Sequence, residues 1–308
     1  MGPKYEFTDE TIYWNGHILH RIKRLSDGIL GGWIESENNL SQEGKCWAHS
    51  GTKVYDNAKV YDDAEIIDCA EIYDNAKVYG KAWVYGRAII CDNAEVYDKA
   101  GISDARVDGN AKVYGNAKVY GDAIVFDHAK VYGAAHVFYH AMVYDNAQIF
   151  ESAKVYDKAR VCGNAQVYSN AQVYGNAKVR DEAKVYDNAQ VSDNAWVNDR
   201  VQVYDNARVY GNARFYDSAS IYENAQVYED TEVYDNAKVY GEAKVYGLAE
   251  IHGNAKVYGN AEVYGEACIF NNTNISCGTH VYDNAEENRV NQECEDLFTD
   301  DYICIDKD

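Results

Sequence analysis

The chain has 308 residues, 47% of them hydrophobic, with 23 Gly, one Pro and a formal net charge of −21. That charge disfavours long-range attraction to nucleic acid or anionic lipid, and no apolar run approaches the ~20 residues of a membrane-spanning helix. The eight cysteines include no Cys-x-x-Cys pair, which argues against a zinc site or disulfide framework and for free thiols in a reducing cytoplasm. No metal and no cofactor are expected, and the N-terminus shows neither a secretory signal nor, with Glu6 at the sixth position, a myristoylation signal.

Residues 1–53 read as an N-terminal cap. Residues 4–30 alternate up to Trp14, turn at Asn15-Gly16 and resume from Ile18 to Leu25, the pattern of a β-hairpin. Ile34, Leu40 and Trp47 are expected to begin an irregular first coil. His17, His20 and His49 fall in this cap, where core or surface roles are expected.

Residues 54–285 repeat a hexad, Val-Tyr-Asp-Asn-Ala-Lys and its variants. An apolar residue opens each unit and a small one follows four places later, as Val54 with Ala58 and Val60 with Ala64. The opening positions run from 54 to 102 and from 107 to 281, nine units plus thirty, or 39. One residue is missing between Ile102 and Val107, which predicts a shortened turn and a local offset. Strand alternation puts Val inside and the following Tyr outside. Asp-Asn or Gly-Asn then turns the chain, because these residues tolerate left-handed backbone. Ala returns to the interior.

Strands this short pair usefully only by stacking coil on coil. Three hexads per coil give 39/3 = 13 coils, or a rod roughly 60 Å long at ~4.8 Å per step. An 18-residue period supports that count. The corner after every third unit, counted from Val54, is Asp at nine of thirteen places, among them Asp56, Asp74 and Asp92. Asn follows in most cases, at 57, 75 and 93 for example, and such amides can hydrogen-bond along a stack. Residues 286–308 carry nine acids and two bases and read as a short cap or a solvated tail.

With those residues in view, the chain resembles the hexapeptide-repeat, left-handed parallel β-helix superfamily. The resemblance implies an all-β fold, one long left-handed parallel β-helix of about 13 coils with a hairpin cap. The segment Gly31-Gly32-Trp33-Ile34 to Cys46-Trp47 is similar to uncharacterised bacterial and phage proteins, some of them acetyltransferase-like. That implies two things as analogy: acyl transfer from acetyl-CoA, and action on a host factor.

The most specific surface signal is aromatic. Of the 39 positions after the opening residue, 25 are Tyr and four are Phe. One face carries an unbroken column from Tyr61 through Tyr114, Tyr132, Phe150, Tyr168, Tyr186, Tyr204, Tyr222, Tyr240 and Tyr258, beside Lys59, Lys77, Lys112, Lys130, Lys184, Lys238 and Lys256. A second column, Tyr120 to Tyr282, breaks only at Ser192. Stacked Tyr can simply stabilise a sheet; a strip ~55 Å long can equally be an interface, or a platform for sugars or bases. Aromatic plus basic is the pattern of single-strand nucleic-acid platforms, but the Asp column and the net charge oppose that use.

The Asp column admits two readings, divalent-cation ligation or plain turn chemistry. An acidic rod can also mimic DNA. Acyltransferases of the superfamily use a His and a projecting loop, yet thirty successive units here contain no insertion. His128 and His140 lie in turns on different corners, His136, His252 and His280 are expected to point out alone, and no His shows an evident acid partner. A three-His zinc site and an ice-binding Thr array find no support. The sequence therefore predicts a non-catalytic scaffold that self-associates or binds a protein partner through its Tyr-rich face.

Overall fold

In the computed structural model the described residues are 2–276, 278–282 and the backbone of 302–303. The chain divides into two units, Met1–Ser152 and Ala153–Asp308. Both are all-β: the helix among the described residues is a single 3-10 turn, Glu37–Asn39. No helix among them is long and apolar enough to cross a membrane.

Each unit is a parallel β-solenoid with three strands per coil. Most strands are two residues long, such as Lys59–Val60, and each pairs with the strand one coil away, Lys59 with Lys77 and Val60 with Val78. The ladder is continuous across these short strands. Lys59 donates its amide to Ala76 at 2.9 Å and Tyr61 to Val78 at 3.1 Å, so backbone groups are satisfied by stacking and not by local partners. The hexad explains the core. Val60, Ala64, Ile66 and Ala70 are fully or almost fully buried, and the pattern recurs along both units. Departures in the second unit include Phe215 at a Val position, Val201 at an Ala position, and Thr231 at another Ala position with its hydroxyl donating to Tyr228 at 2.8 Å.

The corners run left-handed at the third residue of the hexad. Asp56, Asp62, Asp74 and Asp92 have φ of 55–58°, and Gly or another polar residue takes the place elsewhere. Asp is favoured there because it tolerates this backbone, and because its carboxylate reaches the next coil. Asp62 accepts the amide of Gly80 at 3.1 Å, Asp74 that of Asp92 at 3.1 Å, and Asp205 that of Glu223 at 3.1 Å.

The expected shortened turn is present. Trp83 pairs with Gly101, 18 residues on, but Gly101 pairs with Lys118, 17 residues on. The ladder therefore absorbs the deletion as one change of register while stacking continues.

At the N-terminus, Tyr5–Trp14 and His17–Arg24 form the expected antiparallel hairpin. Its turn residues Asn15 and Gly16 have φ of 48° and 96°, as a two-residue hairpin turn requires. The second strand pairs with Leu30–Ile34, which pairs in parallel with Lys53–Val54. The hairpin thus covers what would be an open sheet edge. Leu40 bridges to Val60, and Trp47–Ala48 pairs with Glu65–Ile66, so the irregular first coil is also seen. Of the C-terminal stretch, the backbone of Tyr302–Ile303 pairs in parallel with His280–Val281. The remainder of the expected cap or tail, 286–308, lies outside the described residues.

Candidate interaction surface

The aromatic column is built by register. Each Tyr follows a buried Val whose strand pairs one coil on, so consecutive rings lie one strand spacing apart. In the first unit Tyr61, Tyr79, Tyr97, Tyr114, Tyr132 and Phe150 stack with centroids 4.8–5.0 Å apart and planes within 5°. In the second, Tyr168, Tyr186, Tyr204, Tyr222, Tyr240 and Tyr258 do the same at 4.8–5.0 Å and within 4°.

The rings lie outside the Val and Ala core, but their faces are turned to one another. The rings sit just past the two-residue strands and are half-buried. Each ring face inside a ladder is covered by its neighbours, leaving edges and hydroxyls to meet a partner. A sugar or base therefore has no ring face to lie on within these ladders. Some hydroxyls are engaged already: Tyr132 donates to Gln148 at 3.3 Å and Tyr186 to Gln202 at 3.2 Å.

Burial, followed by neighbouring Tyr hydroxyls, acids or both, raises the phenol pKa of Tyr186, Tyr204, Tyr222 and Tyr240. Tyr222 is pushed up to about 12 by burial, then by Tyr240, Tyr204, Glu223 and Asp205. Tyr97 reaches about 12 by burial, then Tyr114, Asp98 and Glu95. The ladder is thus a neutral hydroxyl array at physiological pH, able to donate and accept.

Asn forms a parallel array at the corners. Asn57 donates to Asn75 and Asn75 to Asn93, at 3.3 and 3.2 Å, as the 18-residue pattern suggests. A longer run at another corner, Asn170 to Asn188 to Asn206 to Asn224, has 3.2 Å steps throughout. The Asp column next to it spends carboxylate oxygens on backbone amides, an architectural use that needs no cation.

The histidines differ most from expectation. His17 Nδ1 lies 3.0 Å from Glu35 and its Nε2 3.4 Å from Asp56, so an acid partner does exist. The hydrogen bond to Glu35 raises the His17 pKa against the lowering effect of burial, and Asp56 adds to the rise. Burial pushes the Glu35 carboxyl up, but bonds from His17 and from the Asp56 amide, at 2.7 Å, hold it below its usual range. The three could supply one ligand atom each to a metal, yet each is already spent in this cap contact. His252 is not alone either. It stacks between Tyr234 and Phe270, with centroids at 4.7 and 5.6 Å, and lies 3.5 Å from Cys268. Burial raises the Cys268 thiol, with Glu250 adding to the effect, so that pair lacks the thiolate of a nucleophilic dyad. His280 lies 3.4 Å from Glu262, and His136 packs edge-on to Tyr120. None of these contacts was visible in sequence, because each partner is 16–39 residues away and becomes adjacent only through coil register.

One basic cluster also escapes the hexad pattern. Trp196 is approached by Lys178 at 4.0 Å and by Arg180 at 4.9 Å, while Arg214 lies at 6.0 Å. Burial and then Arg180 and Arg160 lower the Lys178 pKa.

Among known families, the model described as the YdcK beta solenoid repeat matches residues 201–217. The match covers one coil of the second unit and agrees with the parallel β-solenoid seen there. No curated protein matches the chain.

Proposed function

We propose that this protein is a non-catalytic scaffold that associates with a second copy of itself through the edges of its Tyr ladders. The observation that supports this most is the ladder Tyr168 to Tyr258, rungs 4.8–5.0 Å apart. A row of hydroxyls at strand spacing both donates and accepts, so the same row on another copy is its natural complement. Lys184, Lys238 and Lys256 run along one side of the ladder and Asp187, Asp205 and Glu223 along the other. A two-fold axis running along the ladders, which leaves the two copies parallel, brings these opposite charges together and softens the repulsion expected from a net charge of −21. Six rungs extend about 25 Å. With flanking columns the contact stays below ~1,200 Å², the range of weak, concentration-dependent interfaces.

The hexapeptide-repeat resemblance adds the finer setting: a left-handed coil, phage-like relatives and action on a host protein. Its acyl-transfer alternative is tested by calorimetric titration with acetyl-CoA. The self-association reading is tested by sedimentation velocity from 5 to about 100 μM, the span where interfaces of this size respond. The native chain should shift to larger species with concentration, and the combined Tyr168→Ser, Tyr186→Ser and Tyr204→Ser variant should remain monomeric. A native chain that is monomeric throughout would overturn the proposal.

A further inference from the structure

Two rungs are missing from the aromatic column that runs along the other Tyr-rich face, and a depression opens at each. In the first unit Ser103 stands in register between Tyr85 and Tyr120. In the second, Ser192 stands between Tyr174 and Tyr210. The first, about 490 Å³, lies over Gly101 between Tyr85 and Tyr120, with Ser103 buried beneath the surface, and the second, about 300 Å³, is lined by Ser192 itself. A missing rung leaves its flanking rings two steps apart, roughly 10 Å. A planar ring stacked on both sides needs about that much, since aromatic centroids pair at ~4.5–7 Å.

The first slot is differently furnished from the second. Its tier is low on both sides of the strand, because Gly101 stands between Trp83 and Lys118. Trp83 is 55% and Tyr85 40% exposed, although the ladder rungs elsewhere are half-buried. Lys81, Lys99 and Lys118 ring the opening. None of the three forms an ion pair among the described residues, whereas Lys53, Lys77, Lys112 and Lys244 each meet a Glu. Two acids of these coils are engaged with backbone amides: Asp98 accepts from Gly115 at 3.1 Å, and Asp104 accepts from the Arg87 amide at 3.0 Å and from the Ser103 hydroxyl at 2.9 Å. The second slot is lined instead by Asp193, Arg208, Gln190 and Gln226, with no surplus of positive charge.

We propose that the Gly101–Ser103 slot is a binding site for a small planar aromatic anion. The ring completes the ladder between Tyr85 and Tyr120 beside Trp83, and a phosphate, sulfonate or carboxylate on its rim meets Lys99, Lys118 and Lys81. Three unpaired lysines on a strongly acidic chain focus attraction on one spot. The exposed Tyr85 and the half-buried Tyr120, with no aromatic rung between them, supply the stacking. The site is independent of the self-association reading, which uses the other ladder.

Isothermal titration at low salt with naphthalene-2-sulfonate and with AMP tests this. At least one should bind saturably, with affinity falling as salt rises, and neutral 2-naphthol should bind more weakly. Ser103→Tyr restores the rung and should abolish binding. Gly101→Gln fills the floor, where an added Cβ meets only Lys118 Cγ at 4.0 Å, and should abolish it too. The second variant decides the matter if the first fails to fold. Lys99→Ala with Lys118→Ala should weaken binding about tenfold or more, as loss of charged hydrogen bonds implies, and Ser192→Tyr should leave it unchanged. Absence of saturable binding for both probes would overturn the site, as would unchanged affinity in folded Ser103→Tyr or Gly101→Gln. Equal affinity for 2-naphthol would overturn the anionic specificity.

Discussion

At the level of single residues, the corner Asp and the ladder Tyr hold two jobs each, and sequence shows one of them. Turn preference makes Asp205 readable as a corner, and its φ of 55° agrees. Its carboxylate bond to the Glu223 amide becomes visible only once coils stack. The two roles separate by substitution. Asp205→Ala loses both and should cost about 1–3 kcal/mol, while Asp205→Asn keeps an acceptor and left-handed tolerance and should cost under about 0.5 kcal/mol, both read from thermal melts. Equal losses would show that the charge matters and the geometry does not. The Tyr residues give a second test. At Tyr186, Tyr204, Tyr222, Tyr228 and Tyr240 the folded pKa is raised above the ordinary 10.0, to about 12 at Tyr222 and Tyr228. Protons are then held more tightly in the folded state, so the contribution is fully present below pH 10 and is lost as pH rises through about 12. Absorbance at 295 nm should show most phenols titrating above 10, with unfolding following; a simple midpoint near 10 in a folded chain would contradict it.

At the level of elements, the hairpin was the most legible part, because Asn15-Gly16 demands a turn and the alternation around it demands strands. What locks the hairpin was not legible. His17 meets Glu35 and Asp56 only after Leu30–Ile34 folds beneath the hairpin. The linked pH window follows from the two shifts. The raised His17 contributes fully below its ordinary 6.5 and loses that contribution as pH rises through its folded value. The lowered Glu35 contributes above its ordinary 4.5 and loses that contribution as pH falls through its folded value. Protection of cap amides from hydrogen exchange should therefore be greatest between pH 4.5 and 6.5 once intrinsic exchange rates are divided out, and the maximum should vanish in His17→Gln. The close approach of Leu30–Ile34 to the first coil sets another constraint: a Cβ on Gly32 would lie 2.2 Å from Thr52 Oγ1, so Gly32→Ala should loosen the same amides. Inside the coils, Val203→Ala removes buried volume and should cost about 2 kcal/mol.

At the level of the whole molecule, the fold was readable because one period is repeated 39 times, each copy a separate vote for the same coil. Function was not, because the hexad's demands are spent on folding and the surface differs from it at only a few places, Gly101, Ser103, Ser192 and Trp196 among them. Stacking of the Tyr column was legible, but its consequence, that ring faces inside the ladder are closed to ligands, was not. That closure makes the central claim specific: contact between copies is made by hydroxyls and ring edges. The combined Tyr168→Phe, Tyr186→Phe and Tyr204→Phe variant tests it most directly, since Phe keeps the stacked rungs and removes only the hydroxyls. In sedimentation velocity beside the native chain, association should weaken at least fivefold, the order expected for losing about 1 kcal/mol of hydrogen bonding, with an unchanged melting temperature. Association equal to native in that variant would contradict the account.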